Sequence, residues 1–277
     1  MIKRLAYKLN RSIKNTDFYN VMSRMYYLYI DLDKLLKYGT TDMFDEISIE
    51  TTSVCNRKCS YCPVSKYDRG QHFMEMELFK KVIDELKSIG YKGDIVHHFY
   101  AEPLLDKRLE KFLEYEKNKL PNSKVRIYTN GDFLTKKRFK SLVSAGVDSF
   151  YVTLHMEKEN PGFMKFYNSL SNKNQSKIIL RRLYPESLLS SRGGLVEVKH
   201  KEIKKFCGFP SHNVVIDVHG NFVLCCEDYF GKNKWGNVKK ESIMEIWNKK
   251  RFRKLRRDTM KGKFELDICK HCTNKDI

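Results

Sequence analysis

The sequence predicts an α/β protein: a partial, open parallel β/α barrel followed by a small module built from a β-hairpin and a helix. Two observations support this prediction. From residue 46 to about residue 185, strand-like and helix-like hydrophobic patterns alternate with short links, which is typical of parallel strands joined by crossover helices. After residue 185 the pattern changes to a hairpin, a basic amphipathic helix and a final Cys-x2-Cys pair.

The first 45 residues form a basic, aromatic-rich extension. Ile2, Leu5, Leu9 and Ile13 follow helical spacing, with lysines and arginines between them. Such a helix either packs on the body of the protein or binds a membrane surface or a nucleic acid. No run of about 18 apolar residues predicts a spanning helix, and the N-terminus lacks the apolar stretch of a signal peptide, so we expect a cytoplasmic protein.

Five strands are expected between residues 46 and 190, too few for a closed eight-stranded barrel. Helices connect them, and their expected ends are marked by Gly90, Pro121 and Gly146. We therefore expect an N-terminal extension over 1–45, the partial barrel over 46–190 and the C-terminal module over 191–277. The strand segments read EISIETTSV, DIVHHFYAEP, KVRIYTNGD, DSFYVTLHM and SKIILRRLY.

The formal net charge of +19 favours an anionic partner. Nucleic acid, a membrane surface, a phosphorylated substrate and an acidic electron-transfer protein all satisfy this condition. No recognition motif for nucleic acid accompanies the charge, so we do not expect nucleic acid as the partner.

Three of the eight cysteines, Cys55, Cys59 and Cys62, lie on the loop after the first predicted strand. A structural zinc site normally uses four ligands, and these three cysteines provide one ligand too few. A [4Fe–4S] cluster held by three thiolates keeps its fourth iron open for a non-protein ligand. The spacing therefore favours an iron–sulfur cluster with an open position.

This loop, CNRKCSYC, resembles that of the radical S-adenosylmethionine (radical SAM) enzymes. The resemblance implies that the three cysteines hold the cluster that binds S-adenosylmethionine and that Tyr61 lies beside this cofactor. In FYAEPLL, Ala101, Glu102 and Pro103 match the family's Gly-Glu-Pro stretch, in which the glutamate holds the amino group of the cofactor.

Two further strand ends match positions near the cofactor in this family. Thr129 and Asn130 belong to YTNGD after the third strand, and Thr153 and His155 end the fourth strand, where contacts to the ribose are expected. For Thr153 and His155, an ordinary polar strand end is an equally good interpretation.

A second group of cysteines, Cys207, Cys225, Cys269 and Cys272, offers four thiolates. Their spacing alone fits either zinc or a second [4Fe–4S] cluster. The order of the surrounding segments resembles the twitch or SPASM module of radical SAM enzymes. That resemblance implies an auxiliary [4Fe–4S] cluster.

Within this family, HFYAEPLL, IYTNGDFLT and RGG resemble segments of the radical SAM dehydrogenases of aminoglycoside biosynthesis. This resemblance implies oxidation of a secondary alcohol of a sugar or cyclitol to a ketone, with the auxiliary cluster as electron acceptor. It places Arg192 beside the substrate hydroxyl, and Tyr100 and Glu227 in the substrate pocket.

Cys226 replaces an aromatic residue of those dehydrogenases. As a buried neighbour of a cluster ligand it would behave as a small hydrophobic residue. As a hydrogen-atom donor it would make the protein an epimerase of a sugar or a peptide instead.

Nine basic residues lie between positions 249 and 263. They form either a solvated helix face or a docking surface for an acidic flavodoxin or ferredoxin, which the first cluster needs as reductant. A third hypothesis, a non-catalytic protein that binds zinc or a cluster and nucleic acid, depends on charge alone.

Overall fold

The computed structural model describes residues 17–156, 160–184, 190–198 and 204–273. It contains one mixed sheet with helices packed on it. The strands are β1 Glu46–Ile49, β2 Asp94–His97, β3 Lys124–Thr129, β4 Ser149–His155, β5 Ile178–Leu183, β6 Asn213–Ile216, β7 Asn221–Val223 and β8 Lys234–Asn237.

The α-helices lie between these strands and at both ends of the described chain. They are α1 Asp17–Tyr38, α2 Met76–Ser88, α3 Leu109–Lys119, α4 Lys136–Ser144, α5 Pro161–Asn168, α6 Asn172–Gln175, α7 Phe209–His212, α8 Ile243–Asn248, α9 Lys250–Met260 and α10 Asp267–Thr273. Short 3-10 helices cover Pro63–Ser65 and Pro103–Leu105.

The sheet is open, with the strand order β5-β4-β3-β2-β1-β6-β7-β8. Strands β1 to β6 pair in parallel with one another, whereas β7 pairs antiparallel with both β6 and β8. The expected α/β fold with an open, mostly parallel sheet is confirmed. Because β6 pairs with β1, the C-terminal hairpin extends the same sheet.

Local chemistry explains several helix starts. The Thr135 hydroxyl accepts a hydrogen bond from the Arg138 amide at the start of α4, and the Asn160 side chain caps α5 in the same way. Ser242 and Glu245 form a reciprocal capping box at α8. The sequence predicts one amphipathic helix over residues 241–262, but Lys249 is extended (φ −56°, ψ 130°) and separates α8 from α9.

The core lies between the sheet and its helices. One cluster joins β1 and β6 to α2, α8 and α9, and a second joins β3 and β4 to α3 and α4. Fully buried aromatic rings such as Phe79, Phe150 and Trp247 fill these layers. This packing fixes the carboxyl ends of the parallel strands, where ligands bind in open α/β sheets.

The amphipathic pattern at Ile2–Ile13 lies outside the described residues. No helix in the described part of the chain has the length and apolar character needed to cross a membrane.

Candidate active site

A cavity opens at the carboxyl ends of the parallel strands, and most of the predicted site residues line it. This first cavity has a volume of about 180 Å³. A second cavity, of about 290 Å³, adjoins it and shares the lining residues Arg57, Asn130 and His155. Together they reach the range of about 300–1,000 Å³ that is usual for cofactor and ligand sites. The predicted residues in the first cavity are Cys55, Cys59, Tyr61, Cys62, Tyr100, Ala101, Glu102, Thr129, Asn130, Thr153, His155, Arg192 and Cys226.

The three cysteines of the first loop surround one end of the cavity. The Cys62 amide donates to the Cys59 carbonyl at 2.9 Å, which closes a turn between them. Burial, the Glu102 carboxylate and the two neighbouring thiols raise the pKa of Cys55 to about 12. The three thiols therefore lie close enough to affect one another's charge, and three such thiols fit one [4Fe–4S] cluster.

An ionic network holds this loop against the end of β3. Arg57 donates to both carboxylate oxygens of Asp132, at 2.7 and 2.6 Å, and Asn56 donates to the same carboxylate at 2.7 Å. Asn130 donates to the Asn56 side chain at 2.8 Å. A bidentate Arg–carboxylate pair fixes direction as well as distance, so the network positions the cysteine loop.

Glu102 is buried beneath the cavity and joins β2 to β3. Its carboxylate accepts hydrogen bonds from the Thr129 hydroxyl and the Asn130 amide, each at 2.7 Å, and from the Leu104 amide at 3.1 Å. Burial raises its pKa to about 7 despite these bonds. A carboxylate has about four acceptor positions, so one remains for a ligand amino group. Pro103 is buried behind it and does not line the cavity.

Tyr61 and His155 form one wall. The Tyr61 hydroxyl and His155 Nδ1 lie 2.5 Å apart, and the two rings are stacked at 5.8 Å. Thr153 lies two residues before His155 on β4, so both face the cavity. The pair connects the cysteine loop to the fourth strand.

Arg192 and Tyr100 line another part of the cavity, whereas Glu227 does not line it and is buried beside Arg192. Arg192 Nη1 lies 3.5 Å from Glu227 Oε1, and the guanidinium lies 6.0 Å from the centre of the Tyr100 ring. Arg192 Nε and the Tyr100 hydroxyl are buried and have no hydrogen-bond partner within the described residues. Unpaired buried polar atoms are costly, and a ligand in the cavity would supply both with a partner.

Backbone geometry at Arg192 supports this placement. Arg192 has a positive φ of 52°, a left-handed conformation that is uncommon for a non-glycine residue. Gly193 follows with φ +64°, and a Cβ atom there would lie 2.8 Å from Ile268 and 3.1 Å from the Glu227 carbonyl oxygen. The turn therefore packs directly on the second cysteine region.

Sequence reasoning missed seven lining residues: Arg57, Val64, His98, Phe99, Tyr128, Arg181 and Leu183. Burial and the charges of Arg192 and Arg181 lower the pKa of His98 to about 4, so its ring is neutral at physiological pH. His98 directly follows β2, inside the HFYAEP segment. That position at the carboxyl end of a parallel strand was the available signal.

The four cysteines of the second group converge beside α9 and α10. The Cys207 amide donates to the Thr259 carbonyl at 2.9 Å, and Cys269 and Cys272 are three residues apart on α10. Burial and the neighbouring thiols of Cys207 and Cys272 raise the pKa of Cys269 to about 12. Burial, with Cys226 and Cys272 nearby, also raises that of Cys225.

No three thiol, imidazole or carboxylate side chains in the described residues have the geometry to hold a single metal ion. A [4Fe–4S] cluster is held differently, with one protein ligand on each of its irons. Four half-buried thiols that lie beside one another fit that arrangement.

Comparison with known proteins identifies the family. Residues 49–182 match the Radical SAM superfamily, and residues 207–273 match the iron–sulfur cluster-binding SPASM domain. The chain is 34% identical to the S-adenosyl-L-methionine-dependent 2-deoxy-scyllo-inosamine dehydrogenase of Niallia circulans, over 85% of this chain and 95% of the relative.

The chain belongs to the radical SAM superfamily. The structure of BtrN in complex with AdoMet and 2-DOIA matches it with a TM-score of 0.77 at 34% identity, covering 85% of this chain and 95% of BtrN. SuiB of Streptococcus suis bound to its precursor peptide matches with a TM-score of 0.56 at 12% identity, over 93% and 75% of the two chains, which shows a shared fold.

This radical SAM protein is an enzyme that uses S-adenosylmethionine and two [4Fe–4S] clusters. The predicted class and cofactors are thereby confirmed. Membership in a superfamily of enzymes contradicts the hypothesis of a non-catalytic zinc protein.

Proposed function

We propose that this radical SAM enzyme oxidises a secondary alcohol of a cyclitol or sugar to a ketone. The observation that carries the proposal is the pair of Arg192 and Tyr100 in the cavity wall, with Glu227 beside Arg192. Arg192 Nε and the Tyr100 hydroxyl are buried and have no partner in the described chain. The 34% identity to a cyclitol dehydrogenase over 85% of the chain supports the same reaction.

The first cysteine loop (Cys55, Cys59, Cys62) would hold the cluster that binds S-adenosylmethionine, and Cys207, Cys225, Cys269 and Cys272 would hold the auxiliary cluster. When bound, S-adenosylmethionine and the first cluster would remove the carbinol hydrogen atom, and the auxiliary cluster would accept one electron. Glu102, with its remaining acceptor position, and the Tyr61–His155 wall would bind the cofactor. Ala101, Thr129, Asn130 and Thr153 complete that side of the cavity.

The protein's own residues handle the hydroxyl group. Arg192 stays protonated, and its unpaired Nε donates to the hydroxyl oxygen. Glu227 accepts the hydroxyl proton, since its carboxylate lies 3.5 Å from the Arg192 guanidinium that binds the same hydroxyl. The alcohol thus loses one hydrogen atom, one proton and one electron, which together convert it to a ketone.

The test uses anaerobically reconstituted protein and 2-deoxy-scyllo-inosamine labelled with deuterium at the carbinol carbon. We expect a ketone product and deuterium in 5′-deoxyadenosine. Glu227→Gln should lower turnover by about 10²–10⁴-fold, as loss of a proton acceptor does, while iron content stays unchanged. Ketone formation at the normal rate in Glu227→Gln would remove Glu227 from this role.

Epimerisation is the second candidate, because Cys226 lines the cavity without belonging to the four ligands of the auxiliary cluster. Its thiol lies 4.0 Å from Glu227 Oε1, next to the proposed hydroxyl site. In this version the thiol gives a hydrogen atom to the carbon from the opposite face, and the substrate is a sugar or a peptide.

We also propose the division into residues 1–45, 46–190 and 191–277, which the family matches at 49–182 and 207–273 support. A flavodoxin or ferredoxin as reductant, and a cytoplasmic location, remain predictions. To test which carrier is the reductant, each one is mixed in its reduced form with the enzyme under anaerobic conditions. The visible spectrum then reports whether the first cluster becomes reduced.

A further inference from the structure

Helix α1 exposes a long apolar stripe. Seven large apolar side chains on it have between 46% and 80% of their surface exposed, and they recur at spacings of mostly three or four residues. A contiguous exposed stripe of this kind marks an interaction surface. The apolar stripe consists of Val21, Met25, Leu28, Tyr29, Leu32, Leu35 and Leu36.

The stripe is separate from the face that attaches α1 to the body. Ile30 is buried, and the Lys34 ammonium contacts both Asp31, at 2.8 Å, and His212 Nδ1, at 3.2 Å. Tyr27 stacks on the His212 ring at 4.6 Å. Because these contacts fix the helix by its other side, the stripe is held outward.

A basic groove of about 720 Å³ runs beside the stripe, between α1 and α9. Six cationic side chains and two carboxylates, Asp31 and Asp42, line it. Lys250, Arg257 and Lys261 have no ion pair within the described residues, whereas Arg256 bonds Asp42 at 2.7 Å. The cations of the basic groove are Lys34, Lys250, Arg253, Arg256, Arg257 and Lys261.

The apolar stripe and the basic groove adjoin each other. Asp31 and Lys34 line the groove, and both lie on α1 within one turn of Leu32 and Leu35. We propose that this surface binds an anionic lipid bilayer, with the apolar stripe in the interface and the basic groove on the lipid phosphates. An apolar helix face combined with a basic patch supplies the two signals that stable peripheral binding requires.

The positive charge of this surface favours an anionic bilayer over a second copy of the chain as its binding partner. Pairing two copies through α1 would bring two basic grooves together in a protein of formal charge +19. Residues 1–16, upstream of α1, contain five basic and no acidic residues, with apolar positions at Ile2, Leu5, Leu9 and Ile13. That composition suits an anionic surface as well.

The bilayer contact would leave the active-site cavity accessible. Asp42 precedes β1 and His212 precedes β6, so the basic groove lies at the amino ends of the strands. The cavity with the cysteine loop lies at their carboxyl ends. Membrane binding is therefore independent of the reaction that the enzyme catalyses.

The test is co-sedimentation of the anaerobic holoprotein with vesicles of phosphatidylcholine, with or without phosphatidylglycerol. We expect binding only with phosphatidylglycerol, and weaker binding as salt rises. The triple variant Lys250→Glu, Arg257→Glu, Lys261→Glu should bind at least about a hundredfold more weakly, since each basic residue contributes about 1 kcal/mol near such a surface. The double variant Leu28→Asp, Leu36→Asp should also lose binding.

The matched control is Lys136→Glu, Lys137→Glu, Lys140→Glu, which reverses three exposed charges on α4. It should bind within about threefold of the parent protein. Equal weakening in this control, or no binding of the parent to anionic vesicles, overturns the proposal. The stripe belongs to an interface with a second copy instead if two results occur together. The parent protein does not bind vesicles, and it sediments as a dimer that the variant Leu28→Asp, Leu36→Asp converts to a monomer.

Discussion

Arg192 Nη1 lies 3.5 Å from Glu227 Oε1, and Arg192 itself has a positive φ of 52°. The turn that holds it packs through Gly193 on Ile268 and on the Glu227 backbone. Since Glu227 follows Cys225 by two residues, the proposed hydroxyl site is built on the auxiliary-cluster region. This relationship predicts that a mutation at this site can abolish substrate oxidation while cleavage of S-adenosylmethionine continues.

Arg192→Lys should lower substrate oxidation by about 10²–10³-fold, the usual cost of removing a positioned hydrogen-bond donor. Lysine keeps the charge but cannot reproduce the guanidinium fork. Iron content and uncoupled cleavage of S-adenosylmethionine should be unchanged, because Arg192 is not a cluster ligand. Product formation and 5′-deoxyadenosine release are measured in the same reaction. Loss of iron in this variant would indicate a structural role instead.

The sequence predicted the parallel sheet and the cysteine loop because both depend on local patterns. Hydrophobic spacing marks strands and helices, and three thiols within eight residues mark a cluster loop. The bonds of Glu102 to Thr129 and Asn130 could not be predicted, since they join two strands about 27 residues apart in sequence. The same holds for the pairing of β6 with β1, which follows from tertiary packing.

His212 should make the folded protein less stable as pH falls. Burial, together with the Lys34 ammonium, lowers its pKa from 6.5 to about 4, so the unfolded chain binds a proton that the folded chain excludes. The contribution of neutral His212 to the free energy of unfolding is therefore complete above pH 6.5, the pKa in the unfolded chain. It is lost as the pH falls from 6.5 towards 4. His212→Asn should reduce this loss by about 1 kcal/mol between about pH 7.5 and 5.5.

The measurement is denaturant unfolding of parent and variant at both pH values under anaerobic conditions, where the clusters stay intact. His271→Asn is the matched control, since His271 is exposed and lies far from α1 in sequence. An identical pH slope in the parent and in His212→Asn would show that the pKa of His212 is the same in the folded and unfolded states.

Cys226→Ala decides between dehydrogenation and epimerisation. For a dehydrogenase, turnover should stay within about threefold, because the side chain serves only as a small apolar neighbour of the cavity. No solvent deuterium should enter recovered substrate or product in D2O. Deuterium on the carbon in the parent protein, and its disappearance in Cys226→Ala, would establish the epimerase.

Cys272→Ala should remove the auxiliary cluster and leave the first one in place. Cys272 lies three residues after Cys269 on α10, and Lys204 Nζ lies 3.6 Å from its sulfur. Loss of one of four thiolates should reduce iron from about eight to about four per chain. Substrate oxidation should then stop, because the electron from the alcohol has no acceptor, while cleavage of S-adenosylmethionine continues.

Iron analysis and electron paramagnetic resonance of the reduced protein check this prediction. Cys226→Ala is the matched control, since it removes a neighbouring thiol that is not a proposed ligand and should keep both clusters. If Cys272→Ala retains all of its iron, the four-cysteine ligand set is wrong. If both variants lose the auxiliary cluster, Cys226 is a ligand, and its proposed place in the cavity must be given up.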